Sequence, residues 1–342
     1  MKKALYVALL VILAGVAAAF AMLYYTAQRP GQEYYLHSRN RQWLMSGDRR
    51  LFEVTERAFE MIGVFGFAEG MAKWVPVGGK TKSEFRATVV PRDVVSGIAG
   101  DEYVIGVVSN GLPTAYPLRV VAFHQVVNDD KQTPAVVVYF GNHSYTAAAF
   151  SAGAGDAATS LASTGCLYKN VDLLFDSRTE SLFLPPAATF VAGERLGERL
   201  PVLPCAVLTL DDWTKMYPQT RVMTLSAGIT SVKYPRRDIL SEPVVFKVPL
   251  KAETRARFDN AEPVICLSDG WLTMGVPFAA AGRAAKRDVP LKFEGAGYTA
   301  HFAEDYKSAW ITDSSGALAP SIRSTYRPYV SVMREAVIAD VK

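Results

Sequence analysis

One pattern occurs twice in this chain, and it narrows the fold more than any other feature of the sequence. Val104-Ile105-Gly106-Val107, Asn110-Gly111 and Pro117-Leu118 recur 160 residues later as Val264-Ile265-Cys266-Leu267, Asp269-Gly270 and Pro277-Phe278. Beyond the helix the spacing falls to 153, where Tyr145-Thr146-Ala147 recurs as Tyr298-Thr299-Ala300. Asn-Gly and Asp-Gly accept the positive φ that a two-residue hairpin demands. A proline can open a helix without losing a hydrogen bond, because the first-turn N–H has no helical partner. Each copy therefore reads as hairpin, helix and paired strands. The expected fold is α+β and β-rich, with two pseudo-symmetric ββαββ-like halves behind an N-terminal transmembrane helix.

In the first copy, Val104–Val108 and a short strand ending at Tyr116 form the hairpin. Leu118, Val121, Ala122 and Gln125 share one helical face, and Asn128-Asp129-Asp130 read as the turn that closes the helix. Ala135–Phe140 is a β-branched strand, joined by the polar loop Gly141-Asn142-His143-Ser144 to a strand over Tyr145–Phe150. The small residues of Ser151–Thr164 suggest a flexible loop, and Val171–Phe175 with Ser181–Leu184 a hairpin. Thr209-Leu210-Asp211-Asp212 opens a helix that Pro218 ends, and Arg221–Leu225 is a strand. Gly228–Lys251 reads as a connector whose Arg236-Arg237 pair is solvated.

Lys2-Lys3 precede Ala4–Tyr25, an uncharged run. At about 1.5 Å per residue such a run spans a hydrocarbon core of roughly 30 Å. The lysines place the N-terminus in the cytoplasm. A cleaved signal peptide is the competing reading. Either way the main domain is expected outside the cytoplasm, in the periplasm of a single-pass protein of the inner membrane. Four regions follow: a membrane anchor (1–28), a juxtamembrane helical segment (29–100), a first repeat (101–226), and a connector with a degenerate second repeat (227–342). In the second region Leu51, Val54, Ala58, Ile62 and Phe65 keep helical spacing from a start near Arg49. The apolar Ala58–Val75 stretch is either a helical lid on the domain or a surface for the membrane or a partner's transmembrane helices.

Half of the 342 residues are hydrophobic and the net charge is only +4. That balance fits a globular body and gives no electrostatic footprint for nucleic acid. The three cysteines, Cys166, Cys205 and Cys266, have apolar neighbours. They read as small core residues, with one disulfide as the alternative.

Polar residues found in only one copy mark where a site would lie. Arg119, His124 and Asn128-Asp129 stand opposite Ala279, Ala284 and Asp288-Val289. The loop with His143 stands opposite Glu294–Gly297. The candidate ligand-binding residues are Tyr116, Arg119, His124, Asn128, Asp129 and His143. His124 and His143, with Asp129, would offer zinc or copper two nitrogens and a carboxylate. Each also has a plainer reading: a hydrogen-bonded helix histidine, an Asx turn, a loop-holding arginine. No Gly-x-Ser-x-Gly elbow is present.

Several of these residues carry a family resemblance. Ala115-Tyr116-Pro117-Leu118-Arg119, His124, Val127-Asn128-Asp129, Gly165, Leu167-Tyr168, Phe175-Asp176, Thr179-Glu180-Ser181-Leu182 and Trp213…Pro218 occur in that order. The set resembles the bacterial family catalogued as domain of unknown function 3179, over about Tyr103 to Leu225. The family has no settled activity. The resemblance implies a Cys-x-x-Cys pair just after the strand ending at Tyr139, and with it thiol or metal chemistry. Here Phe140 and His143 stand near those two positions. The leading expectation is a non-catalytic, membrane-anchored binding or scaffold protein, an accessory subunit of an integral membrane complex without a cofactor. The alternatives are a periplasmic metal- or small-ligand-binding domain and a redox enzyme with a reactive thiol at Cys166, Cys205 or Cys266.

Overall fold

The computed structural model describes residues 87–92, 97–179, 181–225, 234–246, 258–268, 272–304, 306–333 and 335–341, together with strands at 34–38, 41–46, 49–54, 65–67 and 77–78. The run Ala4–Tyr25 lies outside the described residues. Among the described residues no helix is long and apolar enough to cross a membrane.

Strands β1 (Tyr34–Ser38), β2 (Arg41–Ser46) and β3 (Arg49–Val54) form an antiparallel sheet. The helix expected from Arg49 is thus corrected to a strand. Trp43 and Leu44 lie across from Glu53 and Phe52, and such cross-strand pairing outweighs a weak helical spacing. Of the apolar Ala58–Val75 stretch, β4 (Phe65–Phe67) is a strand and the rest lies outside the described residues. Next come β5 (Val77–Gly78) and β6 (Ala87–Pro91).

The hairpin β7 (Tyr103–Ser109) and β8 (Leu112–Pro117) turns at Asn110 and Gly111, both at positive φ. Helix α1 (Leu118–His124) follows with Pro117 at its N-cap. Then come β9 (Val126–Asp129), β10 (Ala135–Gly141) and β11 (Thr146–Gly153). Asn128-Asp129 therefore sit on a strand, not in the turn expected after the helix. A meander continues with β12 (Leu161–Tyr168), β13 (Val171–Asp176), β14 (Leu182–Leu184) and β15 (Thr189–Ala192). Much of the loop expected at Ser151–Thr164 is strand, because Ala148, Ala149, Ala152 and Ala162 are buried small residues where layers pack closely. Next are β16 (Cys205–Thr209), α2 (Leu210–Met216) and β17 (Arg221–Leu225). Thr209 caps α2, accepting the Asp212 N–H at 3.2 Å. The C-terminal part holds β18 (Pro263–Ser268), β19 (Leu272–Pro277), α3 (Phe278–Arg283), β20 (Asp288–Phe293), β21 (Ala296–Phe302), β22 (Ala309–Asp313), β23 (Ser321–Thr325), α4 (Tyr326–Val332) and β24 (Glu335–Ile338).

The result is β-rich and α+β. Two eight-stranded sheets run β24-β19-β18-β23-β11-β10-β9-β5 and β20-β21-β22-β16-β7-β8-β17-β6, and a five-stranded sheet runs β15-β14-β13-β12-β4. Strands from residues 101–226 and from residues 227–342 share both large sheets. Ala147 on β11 faces Arg323 on β23, and Val207 on β16 faces Ala309 on β22. The match of Tyr298-Thr299-Ala300 to Tyr145-Thr146-Ala147 is corrected. β21 is the middle strand of β20-β21-β22, whereas β11 is the last of β9-β10-β11. Similar β-forming residues produced that alignment without a shared place in the sheet.

Strand β10 explains its own sequence. Val136, Val138 and Phe140 enter the core shared with β7 and β16, while Val137 and Tyr139 enter the core shared with the five-stranded sheet. A strand buried on both faces reads as one apolar run.

Cys205 and Cys266 are free, buried thiols that donate to the Ser321 and Ile322 carbonyls at 3.1 and 3.0 Å. Burial pushes the Cys205 thiol up to about 12 and raises Cys266 further. The thiolate is the reactive form, so a redox role for these two runs against their surroundings. Neither is expected to react with a maleimide at pH 8 while the protein is folded, and both react after denaturation; mass spectrometry before and after urea checks this.

Candidate functional site

Arg119 stands in the first turn of α1 because Pro117 and Leu118 turn the chain there. Arg119 is 8% exposed, and its guanidinium donates to the backbone carbonyls of Tyr234 and Gly97. Its Nε lies 2.8 Å from a Glu102 carboxylate oxygen. Arg119 thus pins residue 234 against the helix. At the other end of α1, His124 is buried, and its Nε2 lies 2.9 Å from the Tyr234 hydroxyl. Burial pushes the Tyr234 phenol up to about 12, so it is protonated at neutral pH.

The chain leaves α1 through Gln125, at φ +62°, a costly conformation for a residue with a side chain. The Gln125 backbone carbonyl accepts from Phe140 N–H at 2.9 Å, and its side-chain amide donates to Asp172 Oδ1 at 3.1 Å. Asp172, on β13, is 1% exposed. Its other oxygen accepts the Tyr139 hydroxyl at 3.2 Å. Burial and the Asp172 charge hold the Tyr139 phenol well above its usual value, so it remains a donor.

The loop from β10 to β11 brings His143 to the same carboxylate, with Nδ1 3.2 Å from Asp172 Oδ1. Three side chains therefore converge on one buried carboxylate. Gly141 makes room for them: a Cβ there would stand 2.2 Å from the Tyr139 hydroxyl oxygen and 2.8 Å from Asp172 Oδ2. Asn142 ties the loop back to α1 by donating to the Ala122 carbonyl at 2.8 Å.

A cavity of about 760 Å³ opens in front of these groups, and Arg119, Phe123, His143, Tyr145, Tyr234 and Arg237 contribute to its wall. Ile239, Pro243 and Val245 add apolar surface. Arg237 is exposed, as expected, and also pairs with Glu242 at the cavity wall, with Nε 2.8 Å from Oε1.

The candidate residues divide into two groups. Arg119 and His143 line the cavity, and His124 reaches it through Tyr234. Tyr116, Asn128 and Asp129 belong to the scaffold. Tyr116 donates to Asp129 Oδ2 at 2.8 Å, Gln132 donates to the same oxygen at 3.3 Å, and Arg221 donates to Gln132 at 2.9 Å. Asn128 pairs both ways with the backbone of Leu161, at 2.9 and 2.8 Å, locking β9 to β12. His124, His143 and Asp129 each hold different partners. Among the described residues no group of three His, Cys, Asp or Glu side chains is placed to hold a metal ion.

Asp172, Tyr234 and Gln125 were missed as site residues. Asp172 had a visible signal: a carboxylate inside Val171-Asp172-Leu173-Leu174 sits where a strand is otherwise apolar, and an acid is seldom buried without partners. Tyr234 had none, because only the folded connector brings it to α1.

A family model described as a protein of unknown function, DUF3179, matches residues 84–319. No curated protein and no solved structure matches the chain.

Proposed function

Since the chain belongs to the DUF3179 family, whose description assigns no activity, we propose its function from the cavity: it is a membrane-tethered extracytoplasmic protein that binds a small organic ligand beside His143. One observation carries this. A roomy, largely apolar cavity has a histidine at its wall whose orientation is set by a buried carboxylate. Small-molecule sites combine apolar walls with a few fixed polar groups in this way. Phe123, Tyr145, Ile239 and Val245 would take the ligand's apolar body. His143 and the Arg237–Glu242 pair would take its polar end. The tether is Ala4–Tyr25, whose length and lysine flank favour a signal anchor.

We also propose that the body arose by duplication, with its two halves exchanging strands. Support comes from matched registers. Val104 faces Pro117 as Val264 faces Pro277. Val107 faces Cys205 as Leu267 faces Ser321. Strand β17 runs parallel to β8 as β24 runs parallel to β19. On this view the cavity exploits the half whose helix kept Arg119 and His124.

The accessory-subunit alternative has one observation in its favour. Phe123 is 42% exposed and Val245 58% exposed at the cavity, as a protein partner's contact would be. Extraction of the full-length protein in mild detergent, followed by native mass spectrometry, separates the two readings. A lone chain carrying one small molecule, lost in Val245→Trp, is the expected result. A stoichiometric membrane complex with an empty cavity would replace ligand binding with the subunit role, and an empty lone chain would defeat both.

A further inference from the structure

Strand β23 carries one residue that its place in the sheet does not call for. At Arg323 it pairs with Ile265 on β18 and Ala147 on β11. In the same way β16 at Val207 pairs with Ile105 on β7 and Ala309 on β22. Cross-strand partners share a face of the sheet, and Ile265, Ala147 and Val207 are all core residues. Arg323 is 6% exposed in that apolar setting. Its Nε and Nη1 are buried with no acceptor. The guanidinium lies over the Phe278 ring, 5.3 Å from its centroid. A cation–π contact recovers only a fraction of what burying an ion costs. Burial lowers the pKa of Arg323 only to about 10, so it is charged at neutral pH. Glu262 acts on it through space, and the Glu262 Oε1 already accepts the Ala279 N–H.

The other charged groups at the cavity are engaged. Arg119 holds two carbonyls and Glu102, and Arg237 holds Glu242. Asp172 accepts from three donors. Arg323 is not itself at the cavity wall, but Tyr145 is. The charges of Arg323 and Arg237 both act on the Tyr145 hydroxyl. Strand β23 is also fixed to the loop around Tyr145. Ser324 Oγ lies 2.8 Å from Thr146 Oγ1, and the Thr325 hydroxyl donates to the Ser144 carbonyl at 3.0 Å. The hydroxyl end of Tyr145 therefore stands in a positive field whose source has no ion-pair partner among the described residues.

Resting on the ligand-binding reading above, we propose that the cavity selects an organic anion, an apolar monocarboxylate, and that the unpaired charge of Arg323 makes the selection. The carboxylate lies toward the Tyr145 hydroxyl, and the hydrocarbon lies against Phe123, Ile239 and Val245. The low dielectric of the surrounding core extends the reach of the buried charge. Arg323 is thus a specificity-determining residue that acts on the ligand through its field. It is carried at a cost to the fold, since an apolar side chain suits the position better.

The test is thermal unfolding of the full-length protein in detergent, at fixed ionic strength, titrated with 4-phenylbutanoate and with its neutral match, 4-phenylbutanamide. Both should raise the melting temperature saturably, the acid with an apparent Kd at least about tenfold lower. Val245→Trp should lose both responses. Arg323→Lys, which keeps the charge, should keep the preference for the acid. Arg323→Met should lose that preference and, without ligand, melt no lower than wild type. That last readout separates a selecting charge from a structural one. If Arg323→Met melts lower or does not fold, the guanidinium serves to hold the sheets together and the proposal is overturned. It is equally overturned if wild type binds acid and amide alike, or if the preference survives in Arg323→Met. In those cases the cavity still binds a small organic ligand and the reading above stands. If neither compound raises the melting temperature of wild type, both fall.

Discussion

Replacing Asp172 by alanine is expected to cost about 2–6 kcal/mol of stability, the cost of leaving two buried donors unsatisfied at about 1–3 kcal/mol each. The carboxylate is 1% exposed and accepts from Gln125, Tyr139 and His143. Removing it strands the two fully buried donors, Gln125 and Tyr139, each with an unmet desolvation cost of about 1–3 kcal/mol, while His143 stands at the cavity wall. It also leaves the left-handed Gln125 without the side-chain anchor that offsets its backbone strain. Urea denaturation of Asp172→Ala beside wild type measures the loss. Asp172→Asn, which keeps shape and part of the hydrogen bonding, should lose less. A loss under 1 kcal/mol for alanine would mean that water replaces the carboxylate and that the network does not fix His143.

A comparable loss, about 3–5 kcal/mol, is expected for Trp213→Ala, the usual cost of truncating a buried tryptophan. Trp213 on α2 is fully buried, and its indole N–H donates to the Thr220 hydroxyl at 2.8 Å. The ring lies against the backbone of Gly106 on β7, where a Cβ would stand 2.3 Å from the indole. The contact is therefore shaped from both sides. Gly106→Ala should destabilise through overlap, by about 1–3 kcal/mol for an overpacked core. Combining the two substitutions should cost less than their sum, because the methyl enters space the indole has left. Thermal and urea unfolding of the two single variants and the double variant test this coupling. Strictly additive losses would show that the indole and Gly106 do not compete for the same volume.

The local elements of residues 101–225 were legible wherever one short-range rule acted alone. Asn110-Gly111 set the β7–β8 turn, Pro117 set the start of α1, and Thr209 capped α2. The β-branched run Ala135–Phe140 identified β10 as a strand, and the fold showed that it is buried on both faces. Reading failed where two influences competed. Arg49–Val54 has helical spacing and strand-forming residues, and pairing with β2 decided it. Ser151–Thr164 has loop composition, and close packing of its alanines made much of it strand.

The site divides along the same line. By itself, the sequence determined which polar residues the first copy holds and the second lacks, and Arg119, His124 and His143 were among them. It also marked Tyr116, Asn128 and Asp129 as candidate ligands, but neither that Asn128 and Asp129 lie on β9 nor that their bonds hold strands to one another rather than a ligand. Only the tertiary structure decided that Asp172 would meet His143 and that Tyr234 would meet His124, across separations of 29 and 110 residues. The physical reason is that a hydrogen bond is satisfied by direction and distance in space. Buried polar groups must find partners, but the chain offers each of them many, and the packing of β13 and the connector against α1 chooses among them.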